Sequence, residues 1–546
     1  MSSKVNPEFL AKIEKRQKER QESFTKLRLE NILDDTAQKI VELPEVNLLE
    51  QLQSRKLTAT QVLKAYTAKA LELTERVNCV TEFIPQAFEW ASKLDALGSV
   101  AGPLHGLPIA VKEDHDIEGM DTTMGFAKLL YKPAKENATL VKILLKLGAV
   151  PFCKVNLPQS IFSIGSENPI YGQTLNSINA KLGPGGSSSG SGSIVAGGGA
   201  PVAIGTDAGG SVRIPASFHG LSALRPTVRR LTEKGALQCL PTNDAQRGVP
   251  GFITKNAETL ALVWKAVLEN NIQNEFDPIT VPIPWNENLF SSSKKLKIGY
   301  HTSLPFFPAF PDVQKTVLDA KLALESVGHS LIPFDMPDSY EHLKINYDLL
   351  AADGGSYLLK MFEGEPISSC VTGLIESFRN PEKLWKSDGK NTKRQDLTSL
   401  ARRIVEEKTK TADDLWNIIM DKRAFTVGLL EKMDREGIDL ILTPSFPFPA
   451  IRTDEGNAGA CIDAAVYTMI WNFVDFPAGV VRFGTETGAN LDSYDDGGEP
   501  MLKLAKELVK ESVGMPINIQ FIARPFKEEL VLRILLEVER LRNAKK

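Results

Sequence analysis

The sequence predicts an α/β fold, a large sheet of parallel or mixed strands carrying helices and built as one oversized unit. Three observations predict it. The chain runs to 546 residues without a Pro/Gly/Ser linker to divide it, although a core seldom grows past about 250–300 residues unless a big sheet has helices on both faces. Short apolar bursts alternate with longer amphipathic stretches, the rhythm of βα units. The one glycine-rich run, from Gly183 to Pro215, is too aliphatic to act as a tether.

The elements follow in order. Residues 1–45 form a charged helical arm and 46–546 a single domain. Within the arm, Pro7 to about Asn31 reads as a helix with a thin apolar seam (Phe9, Leu10, Ile13, Phe24, Leu27); such a helix lies over a partner surface or frays. NLLEQLQSRKLTATQVLKAYTAKALELTERVN offers two helices, the second capped by Thr58. Leu107 to Val111 is a buried strand leaving the sheet at Lys112. Thr139 to Leu147 is a helix and Val150 to Lys154 the next strand. Further along come a helix (Glu258 to Asn270), a strand (Leu296 to Ser303), an amphipathic helix (Asp312 to Gly328) and the strand HSLIPFD. IDLILTPSFPFPAI is a core strand ending in a Pro/Phe turn, and MPINIQFIA with the helix from Lys527 to Arg542 closes the chain. Residues 368–411 are the most polar internal stretch, a surface excursion.

Composition narrows the function. A formal charge of −4 from 64 basic and 68 acidic residues gives no field for a polyanion, so nucleic acid is not an expected partner. Cys79, Cys153, Cys239, Cys370 and Cys461 lie far apart, and the six histidines make no HExxH; His105 and His115 merely flank a strand. No metal and no cofactor is expected. There is no apolar leader and no run of 18 apolar residues, so the expectation is a cytoplasmic protein without a transmembrane segment.

The chemistry lies in GPGGSSSGSGSIVAGGGAPVAIGTDAGGSVRIP, with 11 glycines and 6 serines but only Asp207 and Arg213 charged. A glycine inside an element costs up to about 1 kcal/mol relative to alanine, so eleven need a reason. Phosphate binding does not supply it: no Gly-Lys-Ser/Thr end follows, and the loose GxGxxG at Gly190 fails at Val195. Acyl transfer does. Small residues let backbone N–H groups point inward around a serine nucleophile, and Ser211 ends TDAGGS. No GxSxG elbow is present, and His219, the nearest histidine, has no triad pattern about it. A desolvated lysine can serve as base, and Lys112 at its strand end is the candidate.

GGSSSGSG at Gly185–Gly192 and GTDAGGSVRIP at Gly205–Pro215 resemble the amidase signature family of serine hydrolases. The resemblance implies that family's fold, a large twisted mixed β-sheet core covered by α-helices on both faces. It implies a Ser–cisSer–Lys triad: Ser211 the nucleophile, Ser187 the bridge after a cis Gly186–Ser187 bond, Lys112 the base. The oxyanion hole maps to the N–H groups of Ala208, Gly209, Gly210 and Ser211. Ser188 supports the bridge, and Asp207 and Arg213 hold the loop. Ser189 stands where many members have glycine.

Beyond the signature, GLPIAVKEDHDIEGMDTTMG, NLPQSIFSIGSENPIYGQTLN, YTMIWNFVDFPAGVV and the C-terminal VGMPINIQFIARPFKEELVLRILLEVERL resemble the fatty acid amide hydrolases. This implies hydrolysis of N-acylethanolamines and primary fatty amides by water, with monoacylglycerol esters as further substrates, and a homodimer. Ile161 and Phe162 would line the acyl channel, with Tyr171 behind them. The alternative is a broad amidase or esterase for short acyl groups. Where the membrane-bound mammalian enzyme has an apolar cap, this chain has VTGLIESF followed by EKLWKSDGKNTKRQD; peripheral membrane contact, through Trp385 and its lysines, stays open.

Overall fold

Strand residues here are those whose alternate side chains meet different layers. In Pro516–Ile522, Ile519 and Phe521 join one hydrophobic cluster while Ile522 joins another, the period of two expected of a pleated strand. Leu440–Pro444 repeats the pattern, with Leu440 and Leu442 on one side and Ile441 on the other. A computed structural model gives this architecture and describes residues 5–238, 240, 245–337, 339–379, 410–453 and 461–544.

In chain order the strands are β1 (Val80–Phe83), β2 (Pro108–Lys112), β3 (Val150–Val155), β4 (Glu167–Asn168), β5 (Gly172–Gln173), β6 (Val202–Asp207) and β7 (Ser222–Arg225). There follow β8 (Val249–Thr254), β9 (Lys297–Tyr300), β10 (Ser330–Pro333), β11 (Leu440–Pro444), β12 (Ala478–Thr485) and β13 (Pro516–Ile522). Among the described residues, eleven form one mixed sheet in the order β1-β3-β2-β6-β8-β7-β12-β13-β11-β9-β10, and β4 and β5 form a separate pair. The β3-β2-β6 and β11-β9-β10 neighbours are parallel, and the rest antiparallel.

Helices cover both faces, as the sequence led us to expect. The Ala59–Val77, Ala257–Leu268 and Glu528–Ala544 helices bury Leu63, Trp264 and Leu535 in the largest cluster. Phe218, Val466 and Tyr467 belong to a second cluster with Phe446. Thr58 does cap its helix, in a capping box with Gln61, so two exposed end donors are satisfied reciprocally.

The parallel register of β2 on β6 positions the site. Ala110 pairs with Ala203, so two or three residues further along, Lys112 and Thr206 emerge side by side at the carboxyl ends of neighbouring parallel strands. Open α/β sheets place ligands outside those ends.

Two expectations change. The Pro7–Glu30 helix lies on its own chain: Arg16 bonds Asp121 (2.7 Å) and Glu82 (2.9 Å), and Ile13 and Phe24 are buried. Its polarity hid this, because the docking is ionic as well as apolar. In the polar stretch, Ser369–Arg379 is a helix burying Cys370, Val371 and Ile375 against Phe126 and Phe362. The rest of that excursion, with Trp385, lies outside the described residues.

Candidate active site

Lys112 is fully buried at the end of β2. Its Nζ lies 2.9 Å from Ser187 Oγ and 2.7 Å from Thr206 Oγ1. Burial drives its pKa down from the usual lysine value, because an ammonium there has lost its water, while the Asp114 carboxylate pulls the other way. Asp114 Oδ2 is 3.4 Å from Nζ and accepts the Thr206 hydroxyl at 2.5 Å, and its Oδ1 meets His115 Nδ1 at 2.8 Å. Burial alone would raise the Asp114 carboxyl, but Lys112, His115 and the Thr206 hydroxyl outweigh it and hold the group well below the carboxylate range.

The Gly186–Ser187 peptide is cis. A Cβ on Gly186 would lie 2.5 Å from the carbonyl oxygens of both Ser163 and Gly165, so only glycine fits against that backbone. Ser187 and Ser188 lead directly into the Ser189–Ala196 helix, a stretch whose serine–glycine alternation reads by itself as loop. Its hydroxyls bond carbonyls instead of solvent: Ser191 donates to Ile204 and Ser193 to Leu175, both at 2.8 Å. Ser188 braces the junction. Its N–H donates to the Ser211 carbonyl (3.1 Å), and its hydroxyl spans the N–H (3.3 Å) and carbonyl (3.4 Å) of Thr206. The Ser189 hydroxymethyl is accommodated, donating to Gly165 O at 3.3 Å.

Ser211 follows a loop held from behind. Asp207 takes the Arg213 guanidinium on both oxygens at 2.9 Å, and Arg213 also donates to Thr468 O, Gln520 Oε1 and Asn472 Oδ1. All five guanidinium donors are thereby used. Burial pushes the Asp207 carboxyl up, but Arg213, Asn472 and Arg225 together hold it well below the ordinary aspartate value. At Gly210, φ is +124° and a Cβ would sit 2.1 Å from Thr468 Oγ1; no side chain fits.

The loop carbonyls are pinned as well. Gln246 Nε2 donates to Ala208 O (3.1 Å) and Thr468 Oγ1 to Gly209 O (2.7 Å). Because a peptide unit is planar and trans, pinning the Ala208 carbonyl turns the Gly209 N–H the opposite way. Of the four N–H groups expected to make the hole, that of Gly210 donates to Asp207 Oδ1 at 2.7 Å. Those of Ala208, Gly209 and Ser211 have no hydrogen-bond partner among the described residues.

Ser187 and Ser211 open onto one cavity, whose apolar wall includes Ile161, Phe162, Ile214, Leu350 and Met469. Ser160 and Ile161 both have positive φ (66° and 57°), strained for a β-branched residue. The bend is held by Ser160 N on Met124 O and by Gln159 bonded to Pro366 O and Ser368 N, all at 2.9 Å. Tyr171 does not back these residues. It packs with Ile13 and Ile170, and its hydroxyl donates to Glu82 at 2.9 Å, because the β4–β5 hairpin turns it toward the N-terminal helix. A second polar feature in the wall is Tyr347, whose hydroxyl donates to Asp463 at 2.5 Å.

Sequence reasoning named Lys112, Ser187, Ser188, Asp207, Arg213 and Ser211, and folding brings them together here. It missed Asp114, Thr206, Gln246, Thr468, Asn472 and Gln520 as partners. Asp114 lies in the charge cluster KEDHD that follows the strand, and nothing in that cluster says which carboxylate turns inward. Among the described residues, no group of three or more His, Cys, Asp or Glu side chains is placed to hold a metal ion.

The family model described as Amidase matches residues 61–532. The chain is 34% identical over 523 residues to fatty-acid amide hydrolase 1 of Sus scrofa, covering 94% of this chain and 88% of that protein. It is 32% identical over 504 residues to fatty acid amide hydrolase 1 of Caenorhabditis elegans, covering 90% and 87%. A solved structure described as fatty acid amide hydrolase superposes with a TM-score of 0.84 at 21% identity, covering 99% of this chain and 97% of the other. Its fold, its sequence and the arrangement about Lys112 agree: the chain belongs to the amidase signature family of hydrolases and is closely related to the fatty acid amide hydrolases.

Proposed function

We propose that this enzyme hydrolyses fatty acid amides, N-acylethanolamines and primary fatty amides among them, through Ser211, Ser187 and Lys112, and that it also accepts monoacylglycerol esters. The observation that carries the reading is a buried lysine bonded to a serine that shares an apolar cavity with a second serine. Ser211 Oγ attacks the carbonyl while its proton passes to Ser187 and the Ser187 proton to uncharged Lys112. The N–H groups of Ala208, Gly209 and Ser211 receive the charge on the carbonyl oxygen, which fixed donors stabilise at no cost of reorganisation; the Gly210 N–H, held by Asp207, completes the turn. Lys112 then returns the proton through Ser187 to the departing nitrogen. Water repeats the sequence on the acyl-enzyme.

The acyl chain lies along Ile161 and Phe162, whose apolar wall gains about 0.8 kcal/mol for each methylene it takes from water. Measuring kcat/KM against acyl length tests this. A steep rise with length is expected, and Ile161→Ala with Phe162→Ala should flatten it while sparing short substrates. A flat wild-type profile would replace the lipid reading with that of a broad amidase or esterase for short acyl groups. We further propose a cytoplasmic homodimer, which sedimentation tests, and vesicle flotation decides whether it touches membrane surfaces peripherally. Among the described residues no helix is long and apolar enough to cross a membrane.

A further inference from the structure

Lys112 must meet two opposed demands. It must be a free amine before the reaction, and it must hold a positive charge once the proton arrives. Burial meets the first demand and works against the second. We propose that Asp114 meets the second as a positioning residue: its carboxylate stabilises the ammonium of Lys112 across 3.4 Å and through the Thr206 hydroxyl that both residues share. The relay then has five groups, Ser211, Ser187, Lys112, Thr206 and Asp114. The proposal rests on the reading of Lys112 as the base.

The neighbouring charges single out Asp114. Facing Lys112 from its own segment are Glu113, Asp114 and His115, and from β6 Thr206 and Asp207. Asp207 is neutralised by Arg213. Glu113 turns away, accepting the N–H groups of Thr123 (2.8 Å) and Met124 (2.9 Å) with Lys154 at 3.9 Å. Asp114 alone is bonded to a direct partner of Nζ. His115 fixes its other oxygen, and with His115 Nε2 buried and unpartnered among the described residues, the imidazole serves as an Nδ1–H donor to the carboxylate. The arrangement parallels the aspartate of a Ser-His-Asp triad, which orients the base and stabilises its cation without itself being protonated.

The proton balance is closed. As the Ser211 oxygen bonds the carbonyl carbon, its proton goes to Ser187 and the Ser187 proton to Nζ. The ammonium so formed faces the carboxylate, and the proton leaves by the same path when the carbon–nitrogen bond breaks. Asp114 stays ionised throughout.

A carboxylate near Nζ favours the ammonium, so Asp114→Asn leaves burial unopposed and Lys112 titrates at lower pH. The acid limb of activity, where Lys112 becomes protonated, should move down by about 1–3 pH units. The readout is the rate at which a fluorophosphonate probe labels Ser211 as a function of pH, which needs no knowledge of the natural substrate. Asparagine keeps an acceptor for Thr206. Thr206→Val should move the limb down as well, because it removes the acceptor that bonds Nζ and with it the hydroxyl that links the ammonium to the carboxylate. A limb unmoved in Asp114→Asn with an unchanged melting temperature overturns the proposal; should that variant not fold, an unmoved limb in Thr206→Val does so. Failure of the base assignment looks different: Lys112→Ala would then keep the wild-type limb.

Discussion

Lys112 is a fully buried lysine whose pKa burial lowers, and in the proposed mechanism that is what lets a serine work without a histidine. Ser187 and Thr206 bond its Nζ, and Asp114 keeps its Thr206 and His115 partners without it, so removing the proposed base should hurt the rate far more than the fold. Lys112→Ala should lower kcat/KM by about 10²–10⁴, the range of general-base catalysis, with the remaining activity shifted toward high pH. Ser211→Ala should abolish turnover at nearly unchanged melting temperature, since a partly exposed hydroxyl is all that is lost. Near wild-type rates in Lys112→Ala would reject the assignment. These residues were readable because GGSSSG and TDAGGS are contiguous and each carries its nucleophilic or bridging serine within it. Asp114 and Thr206 were not, because 92 residues separate them and only the β2–β6 register makes them neighbours. Gln246 and Asn472 are ordinary amides until the fold sets them against the loop.

At the scale of elements, the loop after β6 depends on one buried ion pair. Asp207 and Arg213 are both inaccessible to solvent, and breaking such a pair from one side costs about 3–5 kcal/mol because the other charge is left buried. The pH dependence has a definite sign. The Asp207 carboxyl is depressed in the folded protein, so its contribution is complete above the unfolded value of about 3.9 and is lost as pH falls from there toward the folded value. In Arg213→Met the desolvated carboxyl is raised instead, and protonation then favours the folded state. The variant should melt lower than wild type at neutral pH and recover part of the difference as the pH is lowered toward 4; parallel melting curves would contradict this. Strands and amphipathic helices such as Pro516–Ile522 and Glu528–Ala544 were legible because burial leaves a period in the sequence. The Ser189–Ala196 helix was not. Its glycines and serines have poor helix propensity, and packing against Asn156 and the β6 carbonyls overrides it.

Across the whole molecule, the N-terminal helix is tied to the ground beneath the site. Arg16 reaches Asp121 and Glu82. Asp121 in turn accepts the N–H groups of Tyr131 (2.6 Å) and Lys132 (2.7 Å), and its carbonyl accepts Lys154 Nζ at 2.6 Å. Lys154 faces Glu113, the residue after Lys112. A helix that read as lying over a partner surface or fraying is thus an ionic brace on the segment leaving β2, and its charge pattern alone could not tell an inward arginine from its exposed neighbours. The distinction is testable within that one helix. Arg16→Met leaves the buried Asp121 carboxylate uncompensated and should cost several kcal/mol, about the penalty for halving a buried pair, with faster proteolysis between Pro7 and Glu30. Lys18→Met, which removes an exposed partner 4.0 Å from Glu22, should leave the melting temperature where it was, as surface pairs of this kind contribute almost nothing. Equal melting temperatures for the two variants would mean that the helix rests on the body without bracing it.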